Sequence, residues 1–383
     1  MERGLMRRFA ALIGLIAAVS LAACGGDDPA TSSASTVSIA PAESAPATDP
    51  STTPAETAPT PIAPVATDWQ RIDAPADCMC ADGSPYAYFV READPTKVLF
   101  YLEGGGACFG AEMCAPGSDT YKQVVGYDGG LGAAPGIFDV ANDANPFRDY
   151  SIVFVPYCTG DVHSGNLTKD YGNGVVIEHK GLVNGTTALD DMIARFPDAS
   201  TIVVAGSSAG AFPTPIYAGL AADRLANATI KVVADSGGAI PDAMSFVVGN
   251  WGTLESLPDW PEFDGVTLDQ FTPAYTFSAT AKRHPQIAFA RHDYAYDRVL
   301  SGYAVMAGLA PDDLVSVMKT SEAAIEETGS AVATWIGPGD AHTILASDEL
   351  YVEEMNGVRF LDWLVAFLDG SPQPDQYCTD CAG

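Results

Sequence analysis

Residues 201–210 read Thr-Ile-Val-Val-Ala-Gly-Ser-Ser-Ala-Gly, and this stretch decides the fold. Its first five residues are apolar or β-branched, which is typical of a buried strand. The Gly-x-Ser-x-Gly pattern that follows allows a sharp turn from strand into helix, with the serine at its apex. A plain Gly/Ser-rich turn is the alternative, and the preceding strand argues against it. The spacing of the two glycines selects Ser208 rather than Ser207.

Short apolar runs alternate with helical patterns on both sides of this stretch. Continuous apolar strands separated by helices predict an α/β fold with a mostly parallel central sheet covered on both faces. Two segments rich in Gly, Pro, Asp and aromatic residues interrupt the alternation, and we expect them to form loops and a lid over the site. They lie near 109–148 and 238–284. The predicted strands are 97–102, 151–157, 201–205, 230–234, 286–290 and 332–336, and the predicted helices include 176–196 and 348–368.

The groups that would activate Ser208 can be sought by their order along the chain. A serine hydroxyl needs a histidine base and an acid that orients the base. In α/β-hydrolases the order is serine, acid, histidine, and the histidine follows the last strand. Of the five histidines, only His342 fits that position. The acid is expected after the penultimate strand, where we choose Asp293; Asp297 and Asp235 remain alternatives.

A glycine-rich loop directly follows the first strong strand and reads Glu103-Gly104-Gly105-Gly106. Backbone N–H groups in such a loop can point at one oxygen without interference from a Cβ atom. In α/β-hydrolases this loop and the residue after the nucleophile supply the oxyanion hole. We therefore predict that Gly105, Gly106 and Ala209 donate to the oxyanion.

Three segments together carry a family resemblance. They are Leu-Glu-Gly-Gly-Gly-Ala-Cys-Phe at 102–109, Pro-Tyr-Cys-Thr-Gly-Asp-Val-His-Ser-Gly at 156–165, and the Gly-x-Ser-x-Gly turn at 206–210. These segments resemble the pectin acetylesterase/Notum family of carboxylesterases. The second segment is the most specific, because nothing in general hydrolase chemistry requires it. The resemblance runs from about residue 68 to the last helix and implies an α/β-hydrolase-like fold.

The resemblance also assigns roles to individual residues. It implies a catalytic triad of Ser208, Asp293 and His342, with the aspartate as the loosest match. It further implies a short disulfide loop between Cys108 and Cys114.

Tyr157, Asp161 and His163, all in the second segment, are our candidates for the substrate pocket. This chain also departs from the family pattern, because the family usually has a Trp beside the glycine run, where Gly106 or Ala107 stands here. Loss of that Trp would reshape the acyl pocket, so the acyl group is left open.

The N-terminus predicts export. Three arginines precede the apolar run 9–19, which is too short to span a bilayer and is typical of a secretory signal over 1–23. The small residues before Cys24 resemble a bacterial lipobox, which implies lipidation of that thiol; an ordinary signal peptide is the alternative. The Ala/Thr/Pro/Ser-rich stretch 24–67 is expected to be a disordered linker, and 68–383 to be the catalytic domain.

The chain has eight cysteines, and export implies disulfides. Without Cys24 the count is odd, so at least one thiol stays unpaired within the chain. The tail motif Cys378-x-x-Cys381 is expected to clamp onto Cys78 or Cys80. The remaining cysteines are Cys108, Cys114 and Cys158.

The composition excludes several partners. The formal net charge of −30 repels nucleic acid and anionic lipid, so we expect no nucleic acid partner and membrane contact only through the lipid anchor. The histidines show no metal-ligand spacing such as His-x-x-x-His, so we expect neither a metal nor another cofactor. We further expect a monomer.

Together these features predict a serine carboxylesterase of the bacterial cell envelope. It would remove acyl groups, with acetyl as the first expectation, from a polysaccharide or another extracellular ester. One alternative is a depolymerase or lipase-like hydrolase of longer esters. The other is a non-catalytic surface binding module that keeps the hydrolase fold.

Overall fold

The computed structural model describes residues 68–127, 131, 134–238, 242–306 and 314–381. They belong to one compact unit. The expected signal peptide, Cys24 and the linker lie outside these residues and stay predictions. In the part of the chain that the structure describes, no helix is long and apolar enough to cross a membrane.

The described strands form one large sheet and two small hairpins. The large sheet has nine strands in the order β1-β2-β4-β3-β7-β8-β9-β10-β13. Strands β1, β2 and β4 pair antiparallel, and from β4 to β13 every neighbouring pair is parallel. The strands are β1 (Gln70–Asp73), β2 (Ala87–Arg91), β3 (Asp94–Leu102), β4 (Tyr150–Val155), β5 (Leu167–Asp170), β6 (Val176–His179), β7 (Thr201–Ser207), β8 (Thr229–Asp235), β9 (Ala288–Tyr294), β10 (Val332–Gly337), β11 (Glu354–Met355), β12 (Val358–Arg359) and β13 (Gln376–Tyr377).

Helices cover both faces of the sheet, as the continuous apolar strands require. Val98 and Phe100 of β3 pack into one core with α1, α2 and α4. Leu99 and Tyr101 point to the opposite face, where α7 covers a second core. The helices are α1 (Gly181–Arg195), α2 (Thr214–Arg224), α3 (Thr253–Ser256), α4 (Pro273–Arg283), α5 (Arg298–Met306), α6 (Leu314–Glu326) and α7 (Phe360–Leu368).

The two helix predictions need correction. The stretch 176–196 begins as strand β6, paired with β5, and only becomes helical at Gly181. The stretch 348–368 contains a 3-10 turn and the hairpin β11–β12 before α7 begins at Phe360. An Asn356-Gly357 turn, with both residues at positive φ, makes that hairpin. Asn-Gly is a strong hairpin signal that the helical pattern concealed.

The fifth predicted strand is longer than expected. Strand β9 continues to Tyr294, whereas the apolar run ends at residue 290. Four residues extend it, and the first three, Arg291, His292 and Asp293, carry ionisable side chains, which are typical of a loop. In the structure these three side chains are at most 2% exposed. Arg291 lies beside Asp293, and His292 lies beside the carboxylate of Asp235.

The disulfides agree only in part with the pairings predicted from the sequence. Cys108 pairs with Cys114, as the family resemblance implied. Cys378 pairs with Cys381 rather than clamping the tail to Cys78 or Cys80, so that prediction is wrong. Cys80 pairs instead with Cys158. Cys78 is the odd thiol, buried and unpaired.

Removal of the Cys80–Cys158 bridge should be the costlier of two disulfide deletions. The bridge joins residues 78 positions apart, so its loss frees a long loop in the unfolded chain. Replacing both cysteines with alanine is expected to lower the free energy of unfolding by about 4 kcal/mol. The matched double variant at Cys378 and Cys381 removes a bridge between residues 3 positions apart. It should lower the free energy of unfolding by less than about 2 kcal/mol. Urea unfolding followed by circular dichroism measures both, and equal losses would contradict the expectation.

Candidate active site

Ser208 stands at a strained turn between β7 and α2. Its φ of 54° lies in the left-handed region, which costs free energy for a residue with a side chain. The two flanking glycines make the turn possible. A Cβ on Gly206 would lie 2.2 Å from the carbonyl oxygen of Gly210, and one on Gly210 would lie 2.1 Å from that of Leu102. The Gly-x-Ser-x-Gly pattern is therefore a packing requirement at this position.

The glycine loop after β3 packs directly against this turn. A Cβ on Gly104 would lie 2.9 Å from the Cβ of Ser208, and one on Gly105 would lie 2.4 Å from the ring of Tyr157. Gly106 has a φ of 77°. Among the described residues, the N–H groups of Gly105 and Gly106 have no hydrogen-bond acceptor, and both residues line a cavity with Ser208. Their amides are thus available to an incoming oxygen.

The residues predicted to line the substrate pocket lie behind this loop instead. Tyr157, Asp161 and His163 are at most 1% exposed. Nε2–H of His163 donates to the carbonyl oxygen of Glu103 at 2.8 Å, and the hydroxyl of Tyr157 accepts from the N–H of Val162 at 2.8 Å. Burial lowers the pKa of His163 to about 4, so its ring is neutral. These side chains support the loop, and the small, apolar Val162 lines the pocket in their place.

Asp161 has a structural role in the same support. Its carboxylate accepts from the hydroxyl of Thr159 at 2.6 Å and from the N–H of Gly181 at 2.7 Å, which ties the segment to the start of α1. Burial raises its pKa to about 6 despite these hydrogen bonds. Glu103 braces the loop from the other side. Its carboxylate accepts from Lys122, from the hydroxyl of Tyr127 and from a backbone N–H.

His342 is paired with Asp297 rather than with Asp293. Nδ1 of His342 lies 2.6 Å from Oδ2 of Asp297, which is fully buried. The other oxygen of Asp297 accepts from the N–H groups of Val299 and Leu300 and so caps α5. His342 is 18% exposed and lines the same cavity as Ser208. The structure thus brings the predicted nucleophile and the predicted base to one cavity.

Asp293 does not reach His342, because it lies within β9. Its Oδ1 accepts from the N–H of Gly238 at 2.9 Å, and its Oδ2 lies 3.6 Å from the guanidinium of Arg291. Burial raises the pKa of Asp293 to about 6, against the opposing effect of Arg291. Asp235, the third candidate, lies at the end of β8 and contacts neither nitrogen of His342. The signal for Asp297 was its position before the first turn of a helix, where aspartate is a preferred cap.

Two loops set the distance between His342 and Asp297. The loop after β9 donates three backbone hydrogen bonds to the loop after β10. They run from Ala295 to Gly337, from Tyr296 to Gly339 and from Arg298 to Asp340, with lengths of 2.9, 3.0 and 3.2 Å. These bonds align the two loops on either side of the pair. Asp340 takes part here through its carbonyl oxygen.

An apolar cavity opens on one side of Ser208. Its volume of about 80 Å³ is several times the roughly 10–15 Å³ that one water-sized group needs. Its walls come from the glycine loop, from the predicted lid segment after residue 238, and from α5. The aromatic side chains in the lining are Phe109, Phe212, Trp251, Phe271 and Tyr303. Phe109, Trp251 and Phe271 lie in the two aromatic-rich segments that the sequence predicted as loops and a lid, although no individual side chain was predicted there.

A more polar groove opens on the other side of Ser208. It is lined by His342, the glycine loop, and the segment that carries Ser118, Asp119 and Lys122. Tyr303 borders both cavities. Ser208 therefore lies where an apolar chamber meets a polar one, which suits a substrate with an apolar and a polar half.

Known proteins resemble this chain in sequence and fold. The model of the pectinacetylesterase family matches residues 65–246, which include Ser208 but neither Asp297 nor His342. The palmitoleoyl-protein carboxylesterase notum2 of Xenopus laevis is 32% identical over 136 residues, 34% of this chain and 27% of the relative. Pectin acetylesterase 4 of Arabidopsis thaliana is 25% identical over 305 residues, 73% of this chain and 71% of the relative. The match thus spans about a quarter of the length of the Notum relative.

A solved structure supports the fold assignment. The Wnt deacylase Notum from Drosophila superposes with a TM-score of 0.58 at 16% identity, over 81% of this chain and 96% of that one. The α/β-hydrolase-like fold expected from the sequence is confirmed.

Two aspartate variants separate the candidate acids. Asp297→Asn should slow the reaction of Ser208 with a fluorophosphonate probe roughly a hundredfold or more, because His342 loses the acceptor that orients it. Asparagine still caps α5, so the helix should persist. Asp293→Asn, which is equally buried, should change the rate less than tenfold. A larger loss for Asp293→Asn would identify Asp293 as the acid.

Proposed function

We propose that this chain, which is similar to the pectin acetylesterase/Notum family of carboxylesterases, is a serine carboxylesterase that acts outside the cytoplasm. One observation carries the proposal. Ser208 occupies a strained turn at the junction of an apolar and a polar cavity, and His342, paired with Asp297 at 2.6 Å, lines the polar one.

The proposed reaction proceeds through an acyl-enzyme. Oγ of Ser208 attacks the acyl carbon while Nε2 of His342 takes its proton, and Asp297 stabilises the resulting imidazolium. The N–H groups of Gly105, Gly106 and Ala209 hold the oxyanion. Collapse of the intermediate expels the alcohol, which takes the proton from His342. A water then attacks the acyl-enzyme by the same steps, and the acid leaves with Ser208 restored.

The cavity lining bears on the choice of acyl group. An acetyl group would leave most of the apolar chamber unused, whereas a longer acyl chain buries its apolar surface there at about 25 cal/mol per Å². We therefore favour an apolar acyl group larger than acetyl in that chamber. The alcohol half lies in the polar groove, where hydroxyl and charged side chains suit a hydroxylated leaving group. An acetylated polysaccharide is the second candidate, since a pectin acetylesterase is among the relatives.

The disulfides and the turn at Ser208 bear on where the protein acts and on whether it is only a binding module. The three disulfides favour an oxidising compartment, in line with the exported, lipid-anchored monomer expected from the sequence. A non-catalytic module has no need for a strained serine, and the backbone strain at Ser208 supports catalysis instead.

Replacing the nucleophile tests the reaction itself. Ser208→Ala should lower kcat for p-nitrophenyl butyrate by at least about a thousandfold, because the attacking oxygen is lost. The control Ser200→Ala removes a serine at the opposite end of β7 and should keep the rate. Unchanged hydrolysis in Ser208→Ala, measured by release of nitrophenolate, would refute the proposal.

Narrowing the apolar cavity tests the acyl site. Val248 is 5% exposed and lines this cavity, so Val248→Phe should fill part of it. We expect kcat/KM for p-nitrophenyl octanoate to fall roughly 10- to 100-fold, since one or two methylene groups lose their site. The value for p-nitrophenyl acetate should change less than threefold. The control Val352→Phe, at a residue that is 66% exposed, should alter neither; equal losses for both esters would place the acyl chain elsewhere.

A further inference from the structure

Three buried charged side chains lie beside the nucleophile turn and take no part in the proposed triad. We call Asp235, His292 and Glu353 the charge cluster. Asp235 and His292 have no exposed side-chain surface, and Glu353 has 10%. Nδ1 of His292 donates to Oδ1 of Asp235 at 2.9 Å, and its Nε2 lies 3.7 Å from Oε1 of Glu353.

Asp235 holds the loop that carries the base. Its carboxylate accepts the backbone N–H of Ile344 at 3.0 and 3.1 Å and that of Leu345 at 3.0 Å. The hydroxyl of the next residue, Ser236, accepts the N–H of Thr343 at 3.0 Å. Three successive N–H groups directly after His342 are thus fixed by two neighbouring residues at the end of β8.

The same carboxylate also holds the strand that carries the nucleophile. The hydroxyl of Ser207 donates to Oδ2 of Asp235 at 2.6 Å and accepts from the hydroxyl of Tyr101 at 2.8 Å. Ser207 and Asp235 are cross-strand partners in β7 and β8, and Asp235 and His292 are partners in β8 and β9. Asp235 therefore connects the residue before Ser208 with the residues after His342.

His292 supplies the charge that keeps Asp235 ionised. Burial alone would lower the pKa of His292, but Asp235 and Glu353 outweigh it and raise the pKa to about 9. Burial raises the pKa of Asp235, whereas the hydrogen bond and charge of His292 and the bond from Ser207 bring it below its usual value. The cluster is thus an imidazolium between two carboxylates at neutral pH.

Aromatic and hydrogen-bonding side chains surround His292 and Glu353. The indole N–H of Trp335 and the hydroxyl of Tyr294 donate to Glu353 at 2.7 and 2.5 Å. The rings of Tyr294 and Phe360 pack against the imidazole with centroids 4.7 and 4.9 Å away. The second carboxylate is therefore itself held in place and faces the imidazolium.

We propose that Asp235, hydrogen-bonded to His292, is a positioning residue that sets the base His342 against the nucleophile Ser208. The proposal rests on the proposed function, since it assumes that these two residues carry the reaction. Apolar side chains would be cheaper to bury than three charges. Only an acceptor at this point, however, can hold the N–H groups of the His342 loop together with the hydroxyl of Ser207.

Asp235→Asn is the direct test. An amide offers one acceptor oxygen where the carboxylate offers two. With an NH2 group in the place of Oδ2, Ser207 and Leu345 lose their acceptor, and with an NH2 group in the place of Oδ1, His292 loses its partner. We expect kcat for p-nitrophenyl butyrate to fall at least tenfold while KM stays within threefold, because the side chain of Asp235 lines neither of the two cavities beside Ser208. The control Glu322→Gln alters another buried carboxylate, 5% exposed and paired with the hydroxyl of Tyr377. It should lower Tm without lowering kcat.

The pH profile separates positioning from bulk stability. In His292→Gln the pKa of Asp235 should rise, since its compensating charge is gone. As the pH is lowered, the activity of His292→Gln should therefore begin to fall at a pH at least one unit higher than the activity of the wild type does. Both profiles are measured at a temperature at which both proteins stay folded. An unshifted limb, or Asp235→Asn with kcat within twofold of wild type, would overturn the proposal.

A measurement without substrate keeps the two proposals apart. In protein labelled with ¹⁵N-histidine, NMR at pH 7.5 should show a signal from an imidazole protonated on both nitrogens that vanishes in His292→Gln. A neutral His292 at that pH would overturn the proposed role of Asp235 even if the enzyme is active. Absence of hydrolysis and of fluorophosphonate labelling in the wild type, with His292 still protonated, would instead refute the proposed function.

Discussion

The close approach of two backbones, at the end of β3 and at the turn after β7, is the constraint on which the site depends. Gly210 lies so near the carbonyl oxygen of Leu102 that no Cβ fits, and Gly104 is equally constrained by Ser207 and Ser208. This contact brings the glycine loop beside the serine. It also explains why several glycines, which weaken strands and helices elsewhere, are concentrated at these two turns.

The parallel sheet then gathers the remaining groups. Strands β3, β7, β8, β9 and β10 all end at the same edge, where ligands bind in open α/β sheets. The segments at the ends of these strands carry, in that order, the glycine loop, Ser208, Asp235, Asp297 and His342. Backbone hydrogen bonds between the segments after β9 and β10, and the hydrogen bonds that the Asp235 carboxylate accepts from the backbone after His342, fix the distances at this common edge.

The sequence predicted the parts that obey local rules. The turn at Ser208, the glycine loop and the position of His342 follow from glycine sterics and strand order, and so does the α/β class. Asp293 was preferred over Asp297 because buried, mutually paired charges at 291–293 resemble a loop, although in the structure they continue β9. Tyr157, Asp161 and His163 were misplaced for a related reason. Polar residues near a site resemble ligands, whereas here they hydrogen-bond to the backbone behind it. Long-range pairing of this kind leaves no periodic trace in a sequence.

The two outermost strands of the sheet have a consequence for assembly. Strand β1 has four residues and carries the Arg71–Asp73 ion pair, and β13 has two residues. An open sheet edge can recruit another molecule and seed polymers, and brief, charged edges suppress that tendency. The described sheet is therefore poorly suited to edge-to-edge growth. Many copies can be crowded together, as on a surface, without their sheets joining.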